Sequence, residues 1–335
     1  MGWWQVGADT LAGSRFVVSP LAETTASLFA LLAPAAAHPG ERTWLAAQLP
    51  AFRARLTNDP VTARLMDTVR TARWTADYLV PTPTGAAERS FHEELAEIRA
   101  TPTATVHADL AETTGRPLPA ALLRCDLQDR TADLLDWVWE HAVRPDWPRR
   151  RRVMEADIIA RTERLGRGGW AAVLDDMRPG MRWLGESRLQ ITVDDCAPRD
   201  ISAARLLFLP VTPRHRWVTW DDQDHYAVVY TCNGALADAG RAPAPEALGA
   251  LLGPARARVL VLLGAPMSTT HLVAATGQGL GSVGRHLKVL LDAGLVGRRR
   301  AGRSVLYFRG PAGDVLVAAT GGREQGRPIA PPPPE

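Results

Sequence analysis

Residues 279–310, GLGSVGRHLKVLLDAGLVGRRRAGRSVLYFRG, decide how the chain is read. Val283, Leu287, Leu290 and Gly294 follow at i, i+4, i+7 and i+11, so they share the inward side of a helix over 279–293. Gly281, Arg285, Lys288 and Asp292 fall opposite, with Ser282 and Gln278 toward the N-terminal edge. At 1.5 Å per residue such a helix is about 22 Å long, enough to lie along a major groove. Leu295 and Val296 then open a strand, residues 298–303 (RRRAGR) carry a turn with Gly302, and 305–308 (VLYF) return as a second strand.

Working outward, 254–263 (PARARVLVLL) reads as an apolar helix with proline in its first turn. Gly264, Ala265 and Pro266 turn the chain. Ser268 caps a short helix over 269–275, and Thr276-Gly277 ends it. Helix, short helix, turn, longer helix and basic-tipped hairpin is the order of a winged helix–turn–helix, expected over 253–312. The charge agrees. Residues 254–310 hold eight arginines and Lys288, the chain's lone lysine, against Asp292 alone, a net +8 inside a protein of net +3. A compact basic module on an acidic body is the footprint of a partner bearing phosphates.

The run from Ser282 to Gly310 resembles the recognition helix and wing of the ArsR-type transcriptional regulators. The resemblance rests on Ser282, Val283, Arg285, His286, Leu287, Leu290, Ala293, Gly294, Leu295, Val296, Arg299, Arg300, Gly302, Arg303 and Tyr307. It implies a homodimer on double-stranded DNA, with half-sites of a pseudo-palindromic operator about 34 Å apart or a multiple of that. Arg285 is the residue expected to meet a guanine edge, assisted by Ser282, Gln278 and His286. Arg298, Arg299, Arg300 and Arg303 are expected on phosphates or in the minor groove, and Ser268, Thr269, Gly281 and Lys288 complete the DNA-facing set. Gly281 and Gly284 depart from the family's usual serine. Each costs about 1 kcal/mol of helix propensity, leaving the helix to firm up on the duplex. Many ArsR-type proteins sense metals through a cysteine-containing motif; the matching stretch here, TTHLVAATG, has none and His271 stands alone, so neither metal nor cofactor is expected.

Residues 1–180 read as mainly helical. Leu21, Thr25, Leu28, Phe29 and Leu32 recur at helical spacing after Ser19-Pro20; further helices are expected over 61–78, 91–99, 118–141, 149–165 and about 170–177. Over 181–235 the pattern changes to short runs rich in Val, Ile, Thr and aromatics, expected as a small antiparallel sheet of four or five strands. Residues 236–252 read as a linker or short helix and 321–335, ending in PPPP, as a disordered tail. The class is mainly α with a small antiparallel β-sheet (α+β), closed by the C-terminal winged helix–turn–helix. More loosely, the first 240 or so residues resemble a domain of unknown function that precedes such a winged helix in actinobacterial regulators. That likeness is carried by Ser19-Pro20-Leu21 with Glu23, Leu95, Ile98, Arg99, Thr101-Pro102, Glu155-Ala156-Asp157, Val193 and 206–210 (LLFLP). It names no ligand, although an effector, if there is one, belongs there.

Several function classes are excluded. The longest apolar runs, near 28–37 and 259–267, fall short of the roughly 20 residues of a membrane span. The first residues lack a secretory pattern, and Val6 breaks a myristoylation motif. Three scattered cysteines suit a reduced cytoplasm better than a disulfide framework. HEELA at 92–96 has Ala96 where a zinc-protease helix needs its second His. No Gly-rich phosphate loop or Ser–His–Asp elbow is present, so no enzyme is expected. Asp221, Asp222, Asp224 and His225 read as a solvated hairpin turn rather than a cation loop. Arg149–Arg152 reads either as a charged helix start or as a contact to flanking phosphates, and tryptophans such as Trp137, Trp139, Trp147 and Trp170 as filling of a helical core. The alternative to a DNA-binding regulator is a protein- or ligand-binding module whose winged helix is a docking surface.

Overall fold

Gly2–Gln5 (β1) and Arg15–Phe16 (β2), which lie in a stretch read as helical, are strands, and they complete the sheets built by residues 181–235. The computed structural model describes residues 2–36, 39–72, 74–85, 88–175, 177–192, 196–221, 223–232, 244–264, 266–301 and 304–321. The remaining strands of the N-terminal part are β3 (Arg182–Gly185), β4 (Arg188–Thr192), β5 (Arg199–Asp200), β6 (Arg205–Val211), β7 (Val218–Trp220) and β8 (His225–Thr231). One sheet runs β3-β4-β1-β5, antiparallel except for the β1–β5 pair. The other runs β2-β6-β8-β7, with the pairs β2–β6 and β6–β8 parallel and β7–β8 antiparallel.

Mostly helix with small sheets of few strands, the molecule has the α+β class read from the sequence; the antiparallel arrangement is corrected to two mixed sheets. The reason lies in burial. Leu207, Leu209, Val211, Ala227 and Val229 point into a helical core with Leu28, Leu65, Leu95 and Leu134. Leu206, Phe208, Tyr226, Val228 and Tyr230 point the other way, onto Trp4, Val173, Leu189 and Ile191. A strand pair buried on both faces can be parallel, because neither face has to meet water.

The chain divides into two units, Met1–Ala239 and Gly240–Glu335. In the first, the helix Pro20–Leu32 starts as expected, with Ser19 Oγ accepting from Ala22 N at 2.9 Å. The HEELA stretch serves that start: Glu94, buried in the helix Phe91–Ala100, accepts from Leu21 N (2.8 Å) and Ser19 Oγ (2.9 Å). Burial raises its carboxyl to about 7. The periodic segment 118–141 is α-helical from Leu127 to Val138 and continues as a π-helix over Trp139–Val143, while Pro119 and the turn before Leu127 break the earlier part. The helix Trp147–Leu174 breaks at Gly169 (φ 65°), between the two helices expected over 149–165 and about 170–177. Trp4, Trp44, Trp139 and Trp217 are buried, and Trp139 stacks on Phe91 at 4.6 Å.

The second unit holds helices Glu246–Leu252, Pro254–Leu262, Thr269–Thr276, Leu280–Asp292 and Pro311–Gly321 with the hairpin β9 (Val296–Ala301) and β10 (Ser304–Arg309). Of the two readings, linker or short helix, Glu246–Leu252 takes the second, a helix with Leu248 fully buried. Residues 233–243, like the tail from 322 onward, lie outside the described residues.

Candidate nucleic-acid interface

The helix Leu280–Asp292 buries one stripe, Val283, Leu287 and Leu290, and leaves Gly281, Gly284, Arg285 and Lys288 exposed, the two faces read from the sequence. Gly294 is the exception. Rather than extending the buried stripe it is exposed, with φ 68°, and closes the helix: its N–H donates to Leu291 O (2.9 Å) and that of Leu295 to Leu290 O (3.0 Å). Only glycine takes that left-handed backbone without cost.

The preceding helix Thr269–Thr276 presents Ser268 and Thr269 half-buried at its start and ends at Gly277 (φ 71°). Arg258 supports this junction from the helix Pro254–Leu262 by donating to Ala275 O at 2.9 Å. The hairpin is fixed to the same corner. Met267 and Tyr307 exchange backbone hydrogen bonds, both 2.8 Å, so β10 is bridged to the segment that enters the helix pair. The register sets Arg298 opposite Tyr307, Arg299 opposite Leu306 and Arg300 opposite Val305. Strand alternation then sends Arg298 and Arg300 to one face and Arg299 to the other.

The five cations Arg285, Lys288, Arg298, Arg299 and Arg300 are all exposed, and none makes an ion pair with a carboxylate among the described residues. Arg309, by contrast, is spent on Asp314 at 2.6 Å. Three of the expected base readers hold one another instead of projecting. Ser282 Oγ donates to Gln278 Oε1 (3.2 Å) and stands 3.3 Å from His286 Nε2, a polar ladder at i, i+4, i+8 along one helix edge, each side chain half-buried. Burial, with Arg256 and Arg285 nearby, holds the His286 imidazole below its ordinary pKa, so the ladder adds no charge at neutral pH. Of the side chains expected to face DNA from this helix, Arg285 and Lys288 are the exposed ones. Arg303 and the side chain of His271 lie outside the described residues.

A methyl group at Gly281 or Gly284 would meet nothing within 4 Å, so neither glycine is required by packing. Gly284→Ala is expected to raise the stability of the second unit by about 0.5–1 kcal/mol, through helix propensity and a less flexible unfolded chain. Urea unfolding that shows no gain would mean that this turn is not helical in the free protein.

The other candidates are placed elsewhere. Of Arg149–Arg152, Arg149 pairs with Asp146 (3.0 Å), Arg151 with Glu155 (2.8 Å) and Glu88 (2.5 Å), and Arg150 is fully buried against Glu23 (2.6 Å). Arg149, Arg150 and Arg151 are thus occupied by carboxylates of their own unit, as a charged helix start would have them, while Arg152 is exposed. Asp221 closes the β7–β8 turn, its Oδ1 accepting from Gln223 N and His225 N and its Oδ2 lying 2.7 Å from His225 Nδ1; Asp222 lies outside the described residues. Among the described residues no three His, Cys, Asp or Glu side chains are grouped to hold a metal, and no helix is long and apolar enough to cross a membrane.

No family model matches the chain, and no curated protein matches it. A solved structure described as a possible transcriptional regulator for arsenical resistance is similar to it, with 30% identity over 24% of this chain and 80% of that one and a TM-score of 0.19. A TM-score of that size carries no argument about fold or function.

Proposed function

We propose that the unit Gly240–Glu335 is a winged helix–turn–helix that binds double-stranded DNA, and that the protein is a cytoplasmic, homodimeric transcriptional regulator on a pseudo-palindromic operator. The observation that carries this reading is the set of five exposed cations, without carboxylate partners among the described residues, on the helix Leu280–Asp292 and the hairpin that follows it, the hairpin being bridged through Tyr307 to Met267 at the entry of the helix pair. Exposed guanidinium groups on two elements of one corner suit a groove lined by phosphates, with Arg285 reaching a guanine edge and the hairpin arginines the backbone. A dimer is supported by Leu251 (64% exposed) and Val315 (69%), apolar side chains left in solvent on two helices that pack on one another.

The test is a salt series of gel shifts on selected operator and on random duplex. Arg285→Ala is expected to lose about 1–3 kcal/mol on the operator and to relax its sequence preference. Arg300→Ala should weaken all sequences alike and remove about 0.9 from the log–log salt slope. Absence of any duplex binding at low salt, with an acidic protein captured by the same arginines, would replace this reading with a docking module.

A further inference from the structure

In the first unit a second concentration of arginine has no part in the DNA-binding reading. A cavity of about 380 Å³ is lined by Arg161, Asp175, Met177, Arg178, Arg214, Arg216 and neighbouring residues, including Thr231. Its walls come from distant parts of the sequence: the helix Trp147–Leu174, the turn after it, the β6–β7 connection and the last residue of β8. That places it at the carboxyl ends of the parallel strands β6 and β8, where open sheets with parallel strands receive ligands.

The side chains differ in what they have to offer. Arg161 is a fixed wall, paired with Asp157 at 2.7 Å and lying 4.4 Å over the Tyr230 ring, while Tyr230 donates to the same carboxylate at 2.9 Å. Asp175 accepts from Trp183 N at 2.5 Å. Arg178 is different: its Nε and Nη1 are buried and have no hydrogen-bond partner among the described residues. Burial and the like charge of Arg216 hold its pKa down to about 10, which still leaves it charged at neutral pH. Arg214 and Arg216 are exposed at the rim, and neither makes an ion pair among the described residues. Buried guanidinium N–H groups without acceptors are costly, and a like charge nearby adds to the cost; oxygens of an anion between them would remove both penalties.

We propose that this cavity is a binding site for a small organic polyanion of the phosphate-ester class, gripped by Arg178, Arg214 and Arg216 against the wall formed by Arg161. A phosphate offers three terminal oxygens to converging guanidinium forks where a carboxylate offers two. The volume falls within the roughly 300–1,000 Å³ of small-molecule sites and leaves room for more than the phosphate itself.

The probe is inorganic pyrophosphate, titrated calorimetrically into the full chain at fixed ionic strength without DNA, with citrate as the carboxylate counterpart. One site per chain is expected. Arg178→Met and Arg216→Gln should each weaken it roughly tenfold or more, and Arg299→Ala/Arg300→Ala should leave it unchanged. Arg216 is exposed, so Arg216→Gln remains a fair test if Arg178→Met perturbs folding, and an unchanged melting temperature shows that the fold is intact. Three results would each overturn the proposal: no heat with pyrophosphate, binding lost only in the Arg299/Arg300 variant, or citrate bound more tightly than pyrophosphate. Because no duplex is present, a failure here leaves the DNA-binding reading standing, and the reverse holds too.

Discussion

Arg150→Met is expected to lower the stability of the unit Met1–Ala239 by about 3–5 kcal/mol, the range found when one partner of a buried ion pair is removed. Arg150 and Glu23 are both fully buried and meet at 2.6 Å. Around them Ser27 Oγ, Thr212 Oγ1 and Ala142 O accept from the guanidinium, and the indole of Trp44 lies 5.2 Å from its centre. Glu23 accepts in turn from Thr212 N at 2.7 Å, so the pair ties the helix Pro20–Leu32 to the end of β6 and the start of the long helix. Deleting the cation leaves a carboxylate inside with only the Thr212 donors.

Burial already pushes the Glu23 carboxyl up, while Arg150 and Thr212 pull it back. In Arg150→Met the largest opposing influence is gone, so the folded carboxyl rises further above its ordinary value of 4.5. The folded state then binds the proton more tightly than the unfolded one. The penalty is smallest below the unfolded value and grows as pH rises through the raised folded value. Urea unfolding followed by tryptophan fluorescence should therefore show a larger loss at about pH 8 than at about pH 5.5. Adding Glu23→Gln should recover most of the loss, since the amide oxygen still accepts from Thr212 N without a charge. A loss under about 1 kcal/mol at both pH values would show that the pair does not hold these elements together.

What the sequence made legible follows from how locally each feature is determined. The helix Leu280–Asp292 has one buried face and one wet face, so its period shows directly in Val283, Leu287 and Leu290. Gly294 continued the numerical pattern but belonged to the turn, because a helix-ending glycine and a small inward residue look alike in a string. The i, i+4 spacing of Gln278, Ser282 and His286 is visible in the string, but spacing alone does not fix the rotamers that join them. The parallel pair β6–β8 was hidden for the opposite reason: buried on both faces, LLFLP carries no alternation from which direction could be inferred. Arg150 stands within four consecutive arginines and its burial depends on Glu23, Ser27 and Thr212, between 62 and 127 residues away. The cavity arginines are likewise assembled by tertiary structure alone.

Replacing the hairpin cations together should separate grip from reading. In the proposed complex Arg298, Arg299 and Arg300 neutralise three phosphates. Arg298→Ser/Arg299→Ser/Arg300→Ser is then expected to shallow the log–log salt dependence by about 2.7 and to weaken duplex binding roughly 500-fold near 0.1 M salt. The fold should survive, because the three side chains are exposed and β9–β10 is fixed by backbone pairing and by the Met267–Tyr307 bridge. Phosphate contacts carry no sequence information, so the ratio of operator to random-duplex affinity should stay near that of the unaltered protein, whereas Arg285→Ala should compress it. Fluorescence anisotropy over a salt series on both duplexes measures slope and ratio in one experiment. An unchanged slope in the triple variant would place the phosphate contacts elsewhere on the unit. A collapsed ratio would mean that the hairpin itself reads sequence, through the width of a minor groove into which arginine is inserted.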